Sequence, residues 1–207
     1  MDVFNKVFLL LFVLLNPFSM SIYLLELVKA FDFFKFASIL LWAAFMSLFV
    51  FIAFALSGEA LFENVFQVRF YSFQIFGGIT FLIIGIRLIL GSGPSVGAIR
   101  PDSEHLSGAI AMPFIVGPGT ISASVFAGTR LEPVLACSAI VLALTVAVIA
   151  ILAFKLIHDY VQRYNGKILQ RYTEVAGRIT ALFTGSFAVE LIFKGIDGWM
   201  AVMKATS

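Results

Sequence analysis

Two short stretches of this chain place helix-breaking residues inside apolar sequence. The first, LNPFSMSI, runs from Leu15 to Ile22, and the second, VGPGTISA, runs from Val116 to Ala123. Proline lacks a backbone N–H and its ring obstructs the preceding helical turn, while glycine lowers the cost of leaving helical geometry. The half-helix ends at such a break expose N–H groups with partial positive charge and carbonyls with partial negative charge. This chemistry suits a zwitterion, whose carboxylate meets the N–H end and whose ammonium meets the carbonyl end or the Asn16 amide.

Each proline on its own is compatible with a structural kink, because proline is a common cause of kinks in helices. The matching positions of the two breaks, the glycines on either side of Pro118 and the nearby hydroxyl side chains favour a ligand site over two independent kinks. The candidate substrate-binding residues are Asn16, Pro17, Ser19, Gly117, Pro118, Gly119 and Thr120.

The composition predicts that membrane helices carry these two breaks. Hydrophobic residues make up 61% of the 207 residues and charged residues 13%, with a mean hydropathy of +1.04. Soluble domains contain about 45–50% apolar and about 25% charged residues, so lipid is the expected solvent for most of this chain. A helix needs roughly 20 residues to cross a bilayer, and six stretches meet that length. They are Phe4–Val28, Phe36–Leu56, Phe70–Leu90, Gly108–Gly128, Pro133–Ile157 and Val175–Met203.

The first of these stretches has an alternative interpretation as a signal peptide, with Lys6 before an apolar core. Its apolar character continues to Val28, and no convincing small-residue cleavage site ends a short core. We therefore interpret it as a retained first span. The expected fold class is an all-α membrane protein with six transmembrane helices, of which the first and the fourth are discontinuous.

An internal repeat with a period near 100 residues divides the chain into two halves. GGITFLIIG at Gly77–Gly85 aligns with GRITALFTG at Gly177–Gly185, and LNPFSMSI aligns with VGPGTISA at a similar offset. We expect a three-helix repeat at 1–92, a Gly-, Pro- and Ser-rich linker at 93–107 and a second three-helix repeat at 108–207. Because three is an odd number of crossings, the two repeats have inverted topology, as in many secondary transporters.

Lysine and arginine in the connections set the expected orientation. More of them lie in or beside the first, third and fifth connections than on the other side. This imbalance predicts a multi-pass protein with both termini outside. The first group comprises Lys29, Lys35, Arg100, Lys155, Arg163, Lys167 and Arg171, and the second comprises Lys6, Arg69, Arg130 and Lys204.

Several polar side chains inside the spans are further candidates for coupling or for lining a cavity. Glu190 lies deep in the last span with Lys194 four residues later, the favourable helical order for an ion pair. A structural pair and a role with a substrate ammonium or a coupling proton are both open for Glu190. Thr80 and Thr180 are repeat-related hydroxyls beside glycines, where they either pack against a neighbouring helix or line the cavity. Arg87 lies near the end of its span, where its side chain reaches the interface.

Features of enzymes, metal proteins and nucleic-acid-binding proteins are not evident in the sequence. Neither histidine lies beside a serine or cysteine in a span, and no His-Glu-x-x-His or Gly-Lys-Ser/Thr motif occurs. The net charge of +2 comes without the basic patch that nucleic acid requires. Cys137, the single cysteine, is expected to be a packed and inert thiol. We expect no cofactor and no metal, and any transport would be driven by a gradient of an ion such as Na⁺ or H⁺.

LLNPFSMSIYLL, AMPFIVGPGTISASV and the closing ELIFKGIDGWM resemble motifs of the MarC family of integral membrane proteins, and the resemblance extends over all six spans. The second motif is the more specific, because Pro-x-x-x-Gly-Pro is unusual inside an apolar span. In the first motif Asn16 and Pro17 match the family pattern, whereas Ser19, Met20 and Ile22 stand where glycine, asparagine and a second proline are usual. The resemblance implies an inner-membrane protein of six helices that transports small neutral amino acids; the multiple antibiotic resistance in the family's name does not imply drug efflux.

The function expected from the sequence is that of a secondary carrier with its site between the breaks at residues 16–19 and 117–120. Its expected partners are a small-molecule substrate and membrane lipid, and the oligomeric state is open because no Gly-x-x-x-Gly face is clean. A channel or a structural membrane subunit is the alternative, since broken helices also line channels.

Overall fold

The computed structural model describes residues 3–58, 60, 62, 67–90 and 106–206, without the side chains of 88, 113–114, 163–174 and 205–206. These residues form helices and connecting turns, with no strand in the described ranges. The elements are α1 Val3–Leu15, α2 Pro17–Tyr23, α3 Leu25–Ala30, α4 Phe33–Ser57, α5 Phe70–Ile89, α6 Leu106–Ile110, a π-helical turn Ala111–Ile115, α7 Pro118–Arg130 and α8 Pro133–Thr206.

α4 shows how capping and apolar sequence together produce a membrane-length helix. Asp32 caps its N-terminus, with Oδ2 accepting a hydrogen bond from the Lys35 N–H at 3.3 Å, and Gly58 ends it with φ +61°. Its 25 residues give a length of about 38 Å, more than the roughly 30 Å of a bilayer's hydrocarbon core. One face is buried and the opposite face is exposed. The buried face includes Phe36, Leu40, Ala43, Phe51 and Phe54, and the exposed face includes Trp42, Phe45 and Phe49.

Five helical segments within the described residues are long and apolar enough to cross a membrane. The predicted fourth span, Gly108–Gly128, is not among them because the chain there divides into α6, the π-helical turn and α7, none of which reaches 18 residues. The all-α class with several membrane-length helices is therefore confirmed, and the six-helix inverted repeat stays a prediction. The linker predicted at 93–107 lies outside the described residues except at its last two positions. The five segments are Val3–Tyr23, Phe33–Ser57, Phe70–Arg87, Pro133–Gln162 and Val175–Lys204.

α7 is a short helix enclosed by the others, with eight of its 13 residues buried. Small residues allow this close packing, as in other membrane helix interfaces. At Gly128 the backbone of α7 lies so near α4 that an added Cβ would collide with the Ala55 carbonyl. α7 is therefore surrounded by protein, which is the setting in which a broken membrane segment keeps its backbone groups away from lipid.

α5 packs against the last part of α8 in an antiparallel arrangement. Tyr71, at the start of α5, contacts Gly195, and Gly85, near its end, faces Gly185. The residue numbers on α8 fall as those on α5 rise, so the two helices run in opposite directions. A Cβ added at Gly85 would lie 3.2 Å from the Gly185 backbone nitrogen, which places two repeat-related glycines face to face.

α8 contains both of the last two predicted spans in one continuous helix. The polar stretch between them was predicted as a connection, but it is helical. It contains no proline that would remove a helical hydrogen bond. Lys155 bonds to Val28 and Thr184 to Tyr23. A straight helix would separate Lys155 from Thr184 by about 43 Å, whereas Tyr23 and Val28 are only about 8 Å apart along helical chain. α8 must therefore bend, so that both of its spans pack on the first helices of the chain.

Candidate functional site

The first helix breaks at Asn16, between α1 and α2. Asn16 has φ +41° and ψ 70°, a left-handed conformation that asparagine adopts more readily than most residues. Pro17 begins α2, and its missing N–H leaves the Val13 carbonyl without its normal helical donor. Asn16 caps the new helix, since its Oδ1 accepts a hydrogen bond from the Ser19 N–H at 3.1 Å. The first span is therefore interrupted at the predicted residues.

The second break lies between the π-helical turn and α7. Met112 is extended (φ −120°, ψ 128°) within the turn, and Gly117 is extended (φ −117°, ψ 170°) directly before Pro118. Thr120 Oγ1 accepts a hydrogen bond from the Gly117 N–H at 2.9 Å and lies 2.9 Å from the Ile115 carbonyl oxygen, to which it donates. Because Thr120 is buried and bonded to backbone on both sides, its hydroxyl holds the shape of the break.

A cavity of about 180 Å³ opens beside the first break. Its polar lining comes from Asn16 and Ser19 at the break and from the hydroxyls of Tyr23 and Thr184, which lie 2.6 Å apart. Three phenylalanines supply aromatic walls, and no charged side chain is among the described lining residues. The complete described lining is Val13, Leu14, Leu15, Asn16, Ser19, Met20, Tyr23, Phe81, Phe183, Thr184 and Phe187.

A wider and more open groove of about 760 Å³ lies at the start of α5. Arg69, Tyr71 and Gln74 are among its described lining residues, and it shares none of them with the smaller cavity. Neither helix break contributes to this groove. The smaller cavity is the better candidate site because it meets an interrupted helix and is more enclosed.

The second break lies behind the wall of the cavity. A Cβ added at Gly119 would collide with the Phe187 ring and would contact Leu14, and both of these residues line the cavity. On its other side, the Pro118 ring occupies the space that a side chain at Gly77 would need. The structure thus places Asn16 and Ser19 in the described lining of the cavity. Gly117–Thr120 do not belong to that lining and lie behind it. A direct substrate contact from the second break stays a prediction.

The remaining candidates lie outside the described lining of this cavity. Thr80 donates a hydrogen bond to the Phe76 carbonyl within α5. Thr180 is buried, and no hydrogen-bond partner of its Oγ1 is found among the described residues. Glu190 pairs with Lys194 at 3.5 Å, and both side chains are more than half exposed. The geometry of this pair agrees with the structural interpretation of Glu190, and its coupling role stays a prediction.

Sequence reasoning missed Tyr23, Thr184 and the three phenylalanines of the cavity. Tyr23 and Thr184 are 161 positions apart, so no local pattern connects them. The sequence offered one weak indication of Thr184: it lies one helical turn after the repeat-related Thr180, on the same face of α8. Phe81, Phe183 and Phe187 are hidden among 24 phenylalanines.

The family model described as the MarC family integral membrane protein matches residues 1–200. A UPF0056 membrane protein of Methanocaldococcus jannaschii is 27% identical over 159 residues, which cover 72% of this chain and 74% of that protein. A UPF0056 membrane protein of Aquifex aeolicus is 29% identical over 127 residues, which cover 58% of each chain. No solved structure matches the chain. The family match includes both helix breaks and every residue of the cavity, so this chain belongs to the MarC family of integral membrane proteins.

Proposed function

We propose that the protein is a secondary transporter of small neutral amino acids or similar small zwitterions, with its substrate site in the cavity beside the first break. The observation that carries this proposal is an interrupted membrane helix that lines a small cavity with amide and hydroxyl groups set among apolar walls. Pockets for drug-sized ligands have volumes of about 300–1,000 Å³, so a cavity of about 180 Å³ favours a smaller solute.

The polar and apolar groups that line the cavity favour a substrate with no net charge. The Ser19, Tyr23 and Thr184 hydroxyls can donate hydrogen bonds to a carboxylate. Val13, whose carbonyl lacks its helical donor, also lines the cavity and offers an acceptor for an ammonium group. With no charged side chain in the described lining, a cation or anion would lose its hydration without a counter-charge. The three phenylalanines suit an apolar side chain.

The contacts of two repeat-related glycines support an inverted-repeat carrier. Gly77 of the first half faces Pro118 at the second break, and Gly177 of the second half lies beside Ile22, close to the first break. Each half thus meets the interrupted helix of the other. In the proposed architecture, two three-helix repeats with discontinuous first and fourth helices rock about the cavity. Both termini are placed outside the plasma membrane, and no catalytic activity is assigned.

A ligand screen followed by a flux assay tests the proposal. A compound that binds the folded protein adds about 2.7 kcal/mol of stability at a hundredfold excess over its Kd. We expect a narrow set of small neutral amino acids to raise the apparent Tm of the purified protein, and the same compounds to exchange across liposomes that contain it. A structural subunit would respond to no amino acid. A channel would pass them without saturation or counterflow, and either result would overturn the proposal.

A further inference from the structure

A buried group of ionisable side chains joins α3 to α8, away from the cavity. The Lys155 Nζ donates hydrogen bonds to the Val28 carbonyl at 2.7 Å and to Asp159 Oδ1 at 2.8 Å. Lys155 is only 3% exposed, although lysine is almost never fully buried without a partner. Its ammonium therefore ties the last turn of α3 to α8, and Asp159 is the counter-ion that keeps it there.

His158 belongs to the same α3–α8 contact, a joint formed by Val28, Lys155, His158 and Asp159. Its side chain is 1% exposed, and its Nδ1 lies 3.4 Å from the same Asp159 Oδ1 that binds Lys155. Within the part of the chain that the structure describes, Nε2 has no hydrogen-bond partner. Buried polar atoms are nearly always satisfied, and His158 is not among the described lining residues of either cavity. Because the Asp159 carboxylate can only accept, the Nδ1 of a neutral His158 carries the hydrogen, and Nε2 carries the lone pair at which a proton would bind.

We propose that His158 is a proton-binding site, and that its protonation releases Lys155 from the Val28 carbonyl and loosens the joint between α3 and α8. Imidazole is the side chain whose ordinary titration falls between about pH 5 and 8. The charged groups that act on it are Asp159 and Lys155 on its own helix and Lys29 on α3. Two lysines and one aspartate carry a net charge of +1, which protonation raises to +2.

The joint responds to that extra charge because two cations then compete for one carboxylate oxygen. Protonation at Nε2 makes the existing Nδ1–H donation to Asp159 Oδ1 charge-assisted and therefore stronger, and the like charges of His158 and Lys155 repel each other. Lys155 has a long flexible stem and reaches water more easily than the ring does. Movement of its ammonium away from the joint removes the bond to Val28. For the carrier proposed above, and resting on that function, the coupling ion is then the proton.

Distance measurements on the full-length protein test the joint without any substrate. Spin labels at Ala30→Cys and Gln162→Cys, both exposed positions, report the α3–α8 separation once the single native cysteine is removed by Cys137→Ser. We expect one short distance at about pH 8 and a growing longer component towards about pH 5. His158→Gln, which cannot take up the proton, should keep the short distance at both pH values. Lys155→Met should give the longer distance at both.

Two controls make the outcome decisive. Asp197→Asn removes an exposed carboxylate elsewhere on α8 and should leave the pH response intact. Because the chain has two histidines, ¹⁵N spectra of the wild-type protein report the charge of His158 directly, with His105→Gln as the assignment. An imidazole that stays neutral down to about pH 5, a distance that ignores pH, or a response that survives His158→Gln would each overturn the proposal. None of these results depends on whether the cavity binds amino acids.

Discussion

The Tyr23 hydroxyl lies 2.6 Å from the Thr184 hydroxyl, and both residues line the cavity beside the first helix break. Tyr23 belongs to α2 in the first half of the chain, and Thr184 belongs to α8 in the second half. A substrate that bonds to either hydroxyl has to compete with this contact. In the proposed carrier, this hydrogen bond would connect substrate binding in the cavity to the separation of α2 from α8.

A double-mutant cycle of Tyr23→Phe and Thr184→Val measures this link. Residues in direct hydrogen-bond contact show interaction energies of about 0.5–3 kcal/mol, and we expect a non-additive loss of stability in that range. Amino acid binding should weaken in both single variants, because each removes a hydroxyl from the lining. Thermal unfolding and ligand titration of the purified variants check both points. Additive losses of stability together with unchanged binding would show that the two hydroxyls are not coupled to each other and do not contact the substrate.

Gly119→Leu should abolish amino acid transport and leave membrane insertion intact. An added side chain collides with the Phe187 ring, which forms the cavity wall, so the ring is pushed into the substrate volume. Liposome flux and insertion assays report the two effects separately. Gly108→Leu is the matched control, because no atom of the described residues lies within 4 Å of a Cβ added there. Normal flux by folded Gly119→Leu protein would count against this cavity as the site.

Asn16→Ala should weaken substrate binding more than Met20→Ala does. Both residues line the cavity, but only Asn16 supplies an amide and the left-handed turn that starts α2. Asn16→Gly separates these contributions, because glycine keeps the positive φ and lacks the amide. We expect Asn16→Gly to retain the fold and to lose affinity, as measured by ligand titration. A larger loss of affinity in Met20→Ala would move the polar contact elsewhere.

Gly78→Ala should destabilise the protein, whereas Gly185→Ala should not. A Cβ at Gly78 would lie 2.7 Å from the Ala188 carbonyl oxygen, while a Cβ at Gly185 would meet no atom within 4 Å in the part of the chain that the structure describes. Overpacking of this kind costs typically about 1–3 kcal/mol, and alanine in open helical space is favoured over glycine by up to about 1 kcal/mol. Thermal unfolding in detergent ranks the variants. Equal Tm values would contradict the close α5–α8 packing.

The two helix breaks could be predicted because their causes are local. A proline inside a helix removes one backbone hydrogen bond and its ring obstructs the preceding turn, and Asn16 and Gly117 tolerate the backbone that results. The fourth stretch differs from a simple kinked span because Met112 also leaves helical geometry. Met112 precedes Pro113, and the residue before a proline is biased towards extended backbone, a local signal that was overlooked. The helix between the last two spans was missed because polarity, used to mark connections, does not itself break a helix.

The composition of the cavity could be predicted only in part, for a related reason. Asn16 and Ser19 adjoin a break and were found, whereas Tyr23, Phe81 and Thr184 come together only when three separate helices pack. The joint at Lys155 was missed in the same way, since its acceptor is the carbonyl of Val28, 127 positions earlier. Contacts of this length follow from the packing of whole helices and leave no periodic signature in one sequence.

The uninterrupted course of α8 has a mechanical consequence. Lys155 and Thr184 lie in one helical backbone, and the bend between them brings both residues to the first helices of the chain. Because the two contacts share this helix, a change in the angle of the bend would shift one contact relative to the other. Opening of the Lys155 contact and occupancy of the cavity at Thr184 would then influence each other through the geometry of a single helix.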